Sequence, residues 1–306
     1  MKTDILIKDN SITGIEAIAD DSIHSIISDI PYGISYDDWD VLHNNSNSAL
    51  GGTSSAQKKD GSVFKRRGKP LNGWSEADKK IPQEYQQWVE KWGHQWSRVL
   101  APGGSVLIFA GRRFSHRAIV GLENSGLTFK DQITWQKNRA VHRAQHVSAI
   151  FKRRGDVEDE EKWESWRVAN MRPLTEPILW FQKPYKTGTT LADNILKYGV
   201  GGWNEHALDK YTTLHDIPKE SNMIRVVETS EDHKYHPTQK PLNLMKALIE
   251  LVTLPGQIVL DPFAGSGTTL VAARDLKRHY IGYEINSKYY KTARERLEQP
   301  SQDFLL

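Results

Sequence analysis

The sequence predicts an α/β protein built on a doubly wound sheet, and two observations carry this prediction. Two apolar runs of strand character, residues 22–28 and 257–260, are each followed directly by an acid, Asp29 and Asp261. After the second acid comes a glycine turn, then a segment of helical character at 268–276, then a further apolar run that ends at Glu284. Strand, turn, helix and strand in this order are typical of a parallel sheet with crossover helices.

The later motif, Asp-Pro-Phe-Ala-Gly-Ser-Gly-Thr-Thr at 261–269, indicates a nucleoside-binding turn. Gly265 and Gly267 allow a ligand to approach the backbone, and the following helix offers free N–H groups. Glu284 lies about 20 residues further on, the spacing at which a carboxylate meets ribose hydroxyls in doubly wound folds. No Lys follows the glycines, so the turn is not a P-loop. Leu270 occupies the position of the third glycine of the dinucleotide fingerprint.

The earlier motif, Asp29-Ile30-Pro31-Tyr32, places four useful groups at the end of a strand. The Asp29 carboxylate can accept a hydrogen bond from an amino group. The Ile30 carbonyl stays out of helical use, because a residue before proline is held extended. Pro31 stiffens the turn. The Tyr32 ring offers a face on which a base can stack, worth about 1–3 kcal/mol. An ordinary strand-to-turn exit explains this motif equally well when it is taken alone.

Composition limits the classes of function. The chain has 306 residues, a mass of 34.9 kDa, a net charge of +3 and no cysteine. One domain spanning 1–306 suffices for this length. Without cysteine there is no thiolate metal site and no thiol nucleophile. No apolar run is long enough to span a membrane and no signal-peptide pattern is present, so we expect a cytoplasmic location with no membrane partner.

Taken together, the two motifs resemble those of the beta class of DNA amino-methyltransferases, the S-adenosylmethionine-dependent N6-adenine and N4-cytosine enzymes. The catalytic motif of that family is commonly Asp-Pro-Pro-Tyr, and in the beta class it precedes the cofactor motif, as it does here. The resemblance extends over most of the chain through Lys8-Asp9-Asn10, residues 98–106, residues 176–181 and His-Pro-Thr-Gln-Lys-Pro at 236–241. It implies a Rossmann-like methyltransferase sheet with circularly permuted motif order.

The resemblance also implies the reaction and its catalytic residues. The enzyme is expected to move a methyl group from S-adenosylmethionine to the N6 amine of an adenine that is flipped out of duplex DNA. The catalytic residues are Asp29, Ile30, Pro31 and Tyr32, with the amino hydrogens accepted at the Asp29 carboxylate and the Ile30 carbonyl. Ile30 replaces the usual proline of the family. Its main-chain carbonyl is unaffected, so we expect activity to survive.

The cofactor residues follow from the same resemblance, and no metal is expected. Asp261 is assigned to the methionine amine, Glu284 to the ribose and Asp9 to the neighbourhood of the cofactor adenine. Two residues, Thr238 and Lys240, are assigned to the neighbourhood of the methionine carboxylate. The remaining candidates belong to the turn itself: Phe263, Gly265, Ser266, Gly267 and Thr268.

Two insertions are expected to face DNA. The first, 43–80, is interpreted as a flexible basic loop, and the second, about 137–234, as a polar target-recognition segment. Clustered cations that can contact phosphates are Lys65, Arg66, Arg67, Arg139, Arg143, Lys152, Arg153 and Arg154. His142 and His146 are one helical turn apart, but no third ligand has suitable spacing for a metal. Trp88, Trp92 and Trp96 are four residues apart in turn, which is more typical of a helix packed on a sheet than of a base-stacking platform.

Several alternatives remain open at the level of sequence. An N4-cytosine DNA methyltransferase is the first, an RNA amino-methyltransferase the second, and an inactive DNA-binding relic the third. A nicotinamide oxidoreductase is the weakest because of Leu270. The expected partner is double-stranded DNA, and the resemblance leaves room for a homodimer and for a cognate restriction enzyme.

Overall fold

The computed structural model describes residues 1–32, 76–139, 145–168, 171–235 and 239–300, without the side chains of 76–78 and 233. Its centre is an eight-stranded sheet. The strands are β1 (Ile5–Ile7), β2 (Ile23–Asp29), β3 (Leu100–Phe109), β4 (Thr128–Gln136), β5 (Thr175–Gln182), β6 (Met223–Ile224), β7 (Ile258–Asp261) and β8 (His279–Tyr283).

The strands lie in the order β1-β8-β7-β2-β3-β5-β4-β6. The first five of these are mutually parallel, β5 is antiparallel to both β3 and β4, and β6 is parallel to β4. From the β7/β2 pair, the chain winds outwards through β8 on one side and through β3 on the other. The predicted doubly wound sheet is confirmed, and this pair is its switch point, where ligands bind in such folds.

Helices cover both faces of the sheet. They are α1 (Ser11–Gly14), α2 (Glu76–Val99), α3 (Ser115–Asn124), α4 (Ser148–Arg154), α5 (Val157–Lys162), α6 (Leu191–Tyr198), α7 (Ala207–Tyr211), α8 (Leu242–Val252), α9 (Thr268–Asp275) and α10 (Ser287–Glu298). Neighbouring strand residues point to opposite faces. Ile26 therefore packs in the core beneath α2 and α3, whereas Ile27 packs in the core beneath α8 and α9.

The tryptophan stripe of α2 faces the sheet, as its spacing predicts. Trp92 and Trp96 are fully buried, and their ring centroids lie 4.1 Å apart. Trp88, one turn earlier, is only partly buried and lines a cavity. The stripe thus belongs to the core for two of its three members.

The glycine turn after β7 is built by close packing. Gly267 has φ +81°, and a Cβ there would lie 2.8 Å from Cβ of Ala293 in α10. The absent third glycine is compensated on the next strand. A Cβ on Gly282 of β8 would meet Leu270 Cδ1 at 2.4 Å, so Gly282 makes room for the leucine of α9. Helix α9 and strand β8 therefore approach closely, although the glycine that permits the contact lies on the strand and not on the helix.

Two predicted boundaries need correction. Helix α2 begins at Glu76, so residues 76–80 of the first predicted insertion are helical, and residues 43–75 lie outside the described part of the chain. The second segment, 137–234, is not one continuous insertion, because it contains β5, which lies inside the sheet between β3 and β4. The apolar core positions of β5, Ile178, Leu179 and Phe181, are fully buried. None of the helices in the described residues is long and apolar enough to cross a membrane.

Replacing Trp92 by alanine is expected to lower the free energy of unfolding by about 3–5 kcal/mol, because it leaves a large cavity between α2 and the sheet. Urea denaturation followed by far-UV circular dichroism measures this loss. Trp203, which is 45% exposed, supplies the matched control. Its replacement by alanine should change the free energy by no more than about 0.5 kcal/mol. Equal losses in the two variants would contradict the assignment of Trp92 to the core.

Candidate active site

The two motifs meet at the switch point of the sheet. The last residues of β2 and β7 lie side by side, and Ser28 Oγ donates a hydrogen bond of 2.6 Å to Asp261 Oδ1. The Phe263 N–H donates to the same carboxylate oxygen at 3.1 Å. Asp29 and Asp261 are thus brought to one edge of the sheet although more than two hundred residues separate them in the chain.

A cavity of about 360 Å³ opens at this edge. One side of its wall is aromatic and is formed by Trp88 and Phe263, whose ring centroids are 6.0 Å apart. The wall also contains three carboxylates, those of Asp29, Asp261 and Glu284. The remaining lining includes Asn10, Ser11, Ile12, Gln239, Lys240, Gly265, Ser266, Thr268, Thr269 and Tyr289. An apolar cavity with a few convergent polar groups is typical of a site for a small organic ligand.

Glu284 stands at the far end of this cavity, directly after β8. Its Oε2 accepts from the Gly265 N–H at 2.8 Å and its Oε1 from the Asn286 N–H at 2.6 Å. These bonds fix the carboxylate and leave a lone pair on each oxygen for a ligand hydroxyl. Burial raises the pKa of Glu284 to about 7, although the backbone N–H groups of Asn286, Gly265 and Ile285 act in the opposite direction.

Asp261 is also buried, with an exposed fraction of 2%. Burial raises its pKa to about 6, against the stabilising hydrogen bonds from Ser28 and Phe263. The donors found for this carboxylate in the described residues include the neutral groups of Ser28, Thr269 and Phe263. A ligand that brings a positive charge into the cavity would favour the ionised form of Asp261.

Asp29 and Tyr32 belong to a compact polar cluster beside the cavity. Lys240 Nζ donates to Asp29 Oδ2 at 2.7 Å, and the Tyr32 hydroxyl lies 2.8 Å from Asp29 Oδ1. The same hydroxyl lies 2.5 Å from Glu176 Oε1. Lys240 Nζ also lies 3.2 Å from both Glu176 Oε1 and the Tyr32 oxygen. All three ammonium protons of Lys240 therefore face this cluster, which favours a role at Asp29 over the predicted role at the cofactor carboxylate.

The pKa values of the two acids in this cluster, Glu176 and Asp29, are shifted in opposite directions. Burial alone would raise the pKa of Glu176, but Lys240 and Lys137 lower it to about 2, so Glu176 is ionised. Burial, together with the negative charge of Glu176, raises the pKa of Asp29 in spite of Lys240. Burial and both carboxylates raise the pKa of Tyr32 well above its usual value, so its hydroxyl remains protonated.

The remaining catalytic candidates form the turn itself. Ile30 is buried, with 1% of its surface exposed, and its side chain packs in the core beneath α2. The Tyr85 hydroxyl of α2 donates to the Pro31 carbonyl at 3.0 Å. The turn is therefore held from the helix side, and Ile30 substitutes for proline by filling a core position.

Not every predicted cofactor residue lines the cavity. Asp9 is exposed, and its carboxylate accepts from the Asn10 N–H at 2.7 Å, while Asn10 itself lines the wall. Gly267 lies behind the turn against α10 and shapes the wall without forming it. Thr238 lies outside the described residues, so its predicted role stays a prediction.

The predicted DNA contacts are described in part. Lys65, Arg66, Arg67 and Arg143 lie outside the described residues. Arg139 is exposed just beyond β4, and Lys152, Arg153 and Arg154 form the exposed last turn of α4. Because β4 runs parallel to β2, the segment after Gln136 leaves the sheet at the edge where Asp29 lies. The segment that carries Arg139 therefore begins at the edge of the sheet where Asp29 lies.

Three site residues were missed by sequence reasoning. Trp88 was assigned to the core stripe, yet it lies beside Phe263 in the wall of the cavity. Arg296 of α10 donates to the Ser266 carbonyl at 2.6 Å and to Thr268 Oγ1 at 3.0 Å, and so fixes the cofactor turn from behind. Glu176 is an acid at the start of a strand, and only the antiparallel insertion of β5 brings it to Tyr32. A buried cation on the polar C-terminal helix has no local signal in sequence.

The described residues contain no group of three or more His, Asp or Glu side chains arranged to hold a metal ion. His146 instead makes a contact of 3.0 Å between its Nδ1 and the Glu164 carbonyl.

Comparison with known proteins agrees with this geometry. A family model described as DNA methylase matches residues 23–295. The Type II methyltransferase M.HindIII of Haemophilus influenzae is 63% identical over 294 residues, which cover 96% of this chain and 95% of that protein. The DNA adenine methyltransferase YhdJ of Escherichia coli is 39% identical over 136 residues, which cover 42% of this chain and 46% of that protein.

Among solved structures, the M1.HpyAVI–SAM complex has the same fold. Its TM-score is 0.53 at 22% sequence identity, with 96% of this chain and 98% of that chain covered. The match of the family model and the identity to M.HindIII both extend over nearly the whole chain. The chain therefore belongs to the DNA methylase family, and it is a DNA amino-methyltransferase, as its two motifs predict.

Proposed function

We propose that this protein transfers the methyl group of S-adenosylmethionine to the N6 amine of an adenine flipped out of double-stranded DNA. The observation that carries the proposal is the adjacency of the two sites. The Asp29 carboxylate lines the same cavity as Asp261 and Glu284. A methyl donor bound between these acids would have its reactive end beside the group that accepts from the target amine.

The cavity suits S-adenosylmethionine in size and in chemistry. A volume of about 360 Å³ lies within the range of small-molecule sites. Glu284 offers two fixed carboxylate oxygens for ribose hydroxyls, the Trp88 and Phe263 rings offer an apolar wall for adenine, and Asp261 offers a buried negative charge for the methionine amine. When bound, the cofactor supplies a methyl group already activated on a sulfonium.

The protein's own part is to orient and polarise the acceptor amine. An adenine amine is a weak nucleophile because its lone pair is delocalised into the ring. If the Asp29 carboxylate and the Ile30 carbonyl accept both amino hydrogens, the lone pair becomes localised on nitrogen. Each Asp29 oxygen has one cluster donor, Tyr32 or Lys240, and keeps a second lone pair for the base. Alignment of nitrogen with the methyl group then provides most of the catalysis.

Tyr32 is proposed to receive the flipped base. Flipping costs a few kcal/mol, and stacking on an aromatic ring recovers about 1–3 kcal/mol. Tyr32 follows Asp29 by three residues, so a base stacked on this ring would present its amine near the carboxylate. The raised pKa of Asp29 also suits it to take the proton that the methylated nitrogen releases.

Adenine is preferred over cytosine for two reasons. Asp at the first position of the catalytic motif accompanies adenine in the family that the sequence resembles. The name of YhdJ gives adenine as the base that this relative modifies. The test is nucleoside mass spectrometry of DNA from a host that expresses the chain. N6-methyladenine supports the proposal, and N4-methylcytosine would show that cytosine is the target base.

The partners proposed beyond DNA are a second copy of this chain and a restriction enzyme. The extensive identity to a Type II methyltransferase supports a modification enzyme that works with a nuclease of the same specificity. Light scattering on purified protein tests the homodimer. Resistance of DNA from expressing cells to a co-encoded nuclease tests the pairing.

Asp29→Asn is expected to reduce methyl transfer by about a hundredfold or more, the loss found when one polar group at a reacting centre is removed. The change keeps the shape of the side chain and removes its charge. Transfer is measured with radiolabelled S-adenosylmethionine and plasmid DNA. Calorimetry should give nearly unchanged cofactor affinity, because the residue acts on the acceptor. Wild-type turnover by the variant would refute the mechanism.

Cofactor affinity is expected to fall as the pH drops below about 7. Glu284 has a pKa raised to about 7 and must be ionised to accept from ribose hydroxyls, so protonation competes with binding. With one linked proton, the dissociation constant rises by about tenfold per pH unit below this pKa. Calorimetry from pH 8 to pH 6.5, above the pKa of about 6 of Asp261, measures the slope. Glu284→Gln should bind weakly and lose the dependence near pH 7, and a slope that persists in this variant would assign it to another group.

Neutralising the last turn of α4 is expected to weaken DNA binding in a salt-dependent way. The triple change Lys152→Gln, Arg153→Gln and Arg154→Gln should reduce the slope of log affinity against log salt by about one unit for each phosphate that the variant no longer neutralises. Fluorescence anisotropy with duplex DNA measures the slope. The control pair Lys291→Gln and Arg294→Gln removes exposed cations of α10, and an equal effect there would show only a general charge effect.

A further inference from the structure

Glu176 is a buried acid of the polar cluster around Asp29 and belongs to neither sequence motif. It lies near the start of β5, and only 11% of its side chain is exposed. Its carboxylate is faced by groups from three other parts of the fold: Tyr32 after β2, Lys240 before α8, and Lys137 after β4. A buried ionised carboxylate persists only where such partners compensate its desolvation.

Glu176 anchors one end of the Tyr32 side chain. The hydroxyl lies 2.5 Å from Glu176 Oε1 and has only one proton, which the two carboxylates share as acceptors. The other end of the side chain lies against the backbone of Gly111. A Cβ there would be 2.9 Å from Cβ of Tyr32 and 3.0 Å from its Cγ. The ring is thus held at its hydroxyl and at its base, so its stacking face has a defined orientation before any base arrives.

Glu176 also sets the charge around Asp29. Lys240 is shared between the two carboxylates, at 2.7 Å from Asp29 Oδ2 and 3.2 Å from Glu176 Oε1. Without Glu176, Asp29 would be the anion that remains paired with the buried ammonium among the described residues, and the ammonium would bind it more tightly. The lone pairs that Asp29 needs for the target amine would then be less available. The negative charge of Glu176 therefore keeps Asp29 a good acceptor.

We propose that Glu176 is a positioning residue for methyl transfer, which orients the Tyr32 stacking face and shares Lys240 with Asp29 so that the carboxylate remains open to the target amine. This inference rests on the function proposed above. Lys137, the first residue beyond β4, pairs with Glu176 and begins the segment that carries Arg139. The DNA-facing segment is thereby joined to the catalytic motif through one carboxylate.

The test compares Glu176→Gln with Glu123→Gln, a matched carboxylate-to-amide change at an exposed position of α3. The Glu176 variant should lose about a hundredfold in kcat, the loss that a misplacement of about 1 Å causes. Its cofactor affinity by calorimetry should be unchanged. The acidic limb of its pH profile should move to lower pH, because removal of the negative charge beside Asp29 lowers the pKa of that acid. A merely structural role would not produce this shift.

A double-mutant cycle tests the route through the tyrosine. If Glu176 acts largely on the Tyr32 hydroxyl, Tyr32→Phe alone should cause much of the loss in kcat. The double variant should then lose less kcat than the product of the two single losses. Losses that multiply would overturn the inference. So would wild-type kcat and an unshifted pH profile in Glu176→Gln.

Two further experiments distinguish a failure of the inference from a folding defect and from a failure of the proposed function. If Glu176→Gln fails to fold, Lys137→Met removes one partner of the carboxylate at a side chain that is 28% exposed. This variant should lower kcat with unchanged cofactor affinity, and unchanged kcat would overturn the inference. If neither wild type nor Glu123→Gln methylates DNA, the proposed function itself fails. Active controls with an equally active Glu176→Gln would instead reject only the positioning role.

Discussion

One hydrogen bond, from Ser28 to Asp261, spans the parallel pair of strands β2 and β7 on whose adjacency the site depends. It joins the end of the strand that precedes the catalytic motif to the acid that opens the cofactor motif, at 2.6 Å. Parallel neighbours β2 and β7 end at the same edge, so the two acids at their ends converge there without any contact of their own. The permuted order of the motifs along the chain has no consequence for this geometry, because adjacency in the sheet decides it.

Burial provides the second constraint. Burial desolvates four acids in and beside the cavity: Asp29, Glu176, Asp261 and Glu284. The groups that compensate the loss of hydration differ from one acid to the next. Glu176 has two ammonium partners and stays ionised far below neutral pH. Burial raises the pKa values of Asp261 and Glu284 to about 6 and about 7, and the donors that oppose this effect in the described residues are neutral hydroxyl and N–H groups. We therefore propose that Glu176 stays charged at neutral pH, whereas Asp261 and Glu284 become ionised when a bound cofactor brings a positive charge and hydroxyl groups.

Elements outside the two motifs hold the motifs in place. The long helix α2 contributes Trp88 to the cavity wall and Tyr85 to the Pro31 carbonyl. The C-terminal helix α10 contributes Arg296, which binds the carbonyl of the glycine turn from behind. Both helices lie well away from their targets in sequence. The fold thus uses buried polar side chains of its covering helices to hold the two turns.

The sequence by itself determined the fold class, the strands β2, β7 and β8, and the family, because apolar runs ending in acids and glycine turns are local patterns. It also located the carboxylates of the cleft that follow those strands. Only the tertiary structure decided that Lys240 faces Asp29, that Trp88 leaves the core stripe for the cavity, and that Glu176 and Arg296 belong to the site. The physical reason is that these contacts depend on strand order and side-chain direction across the sheet, and no local periodicity encodes a pairing between residues so far apart in the chain.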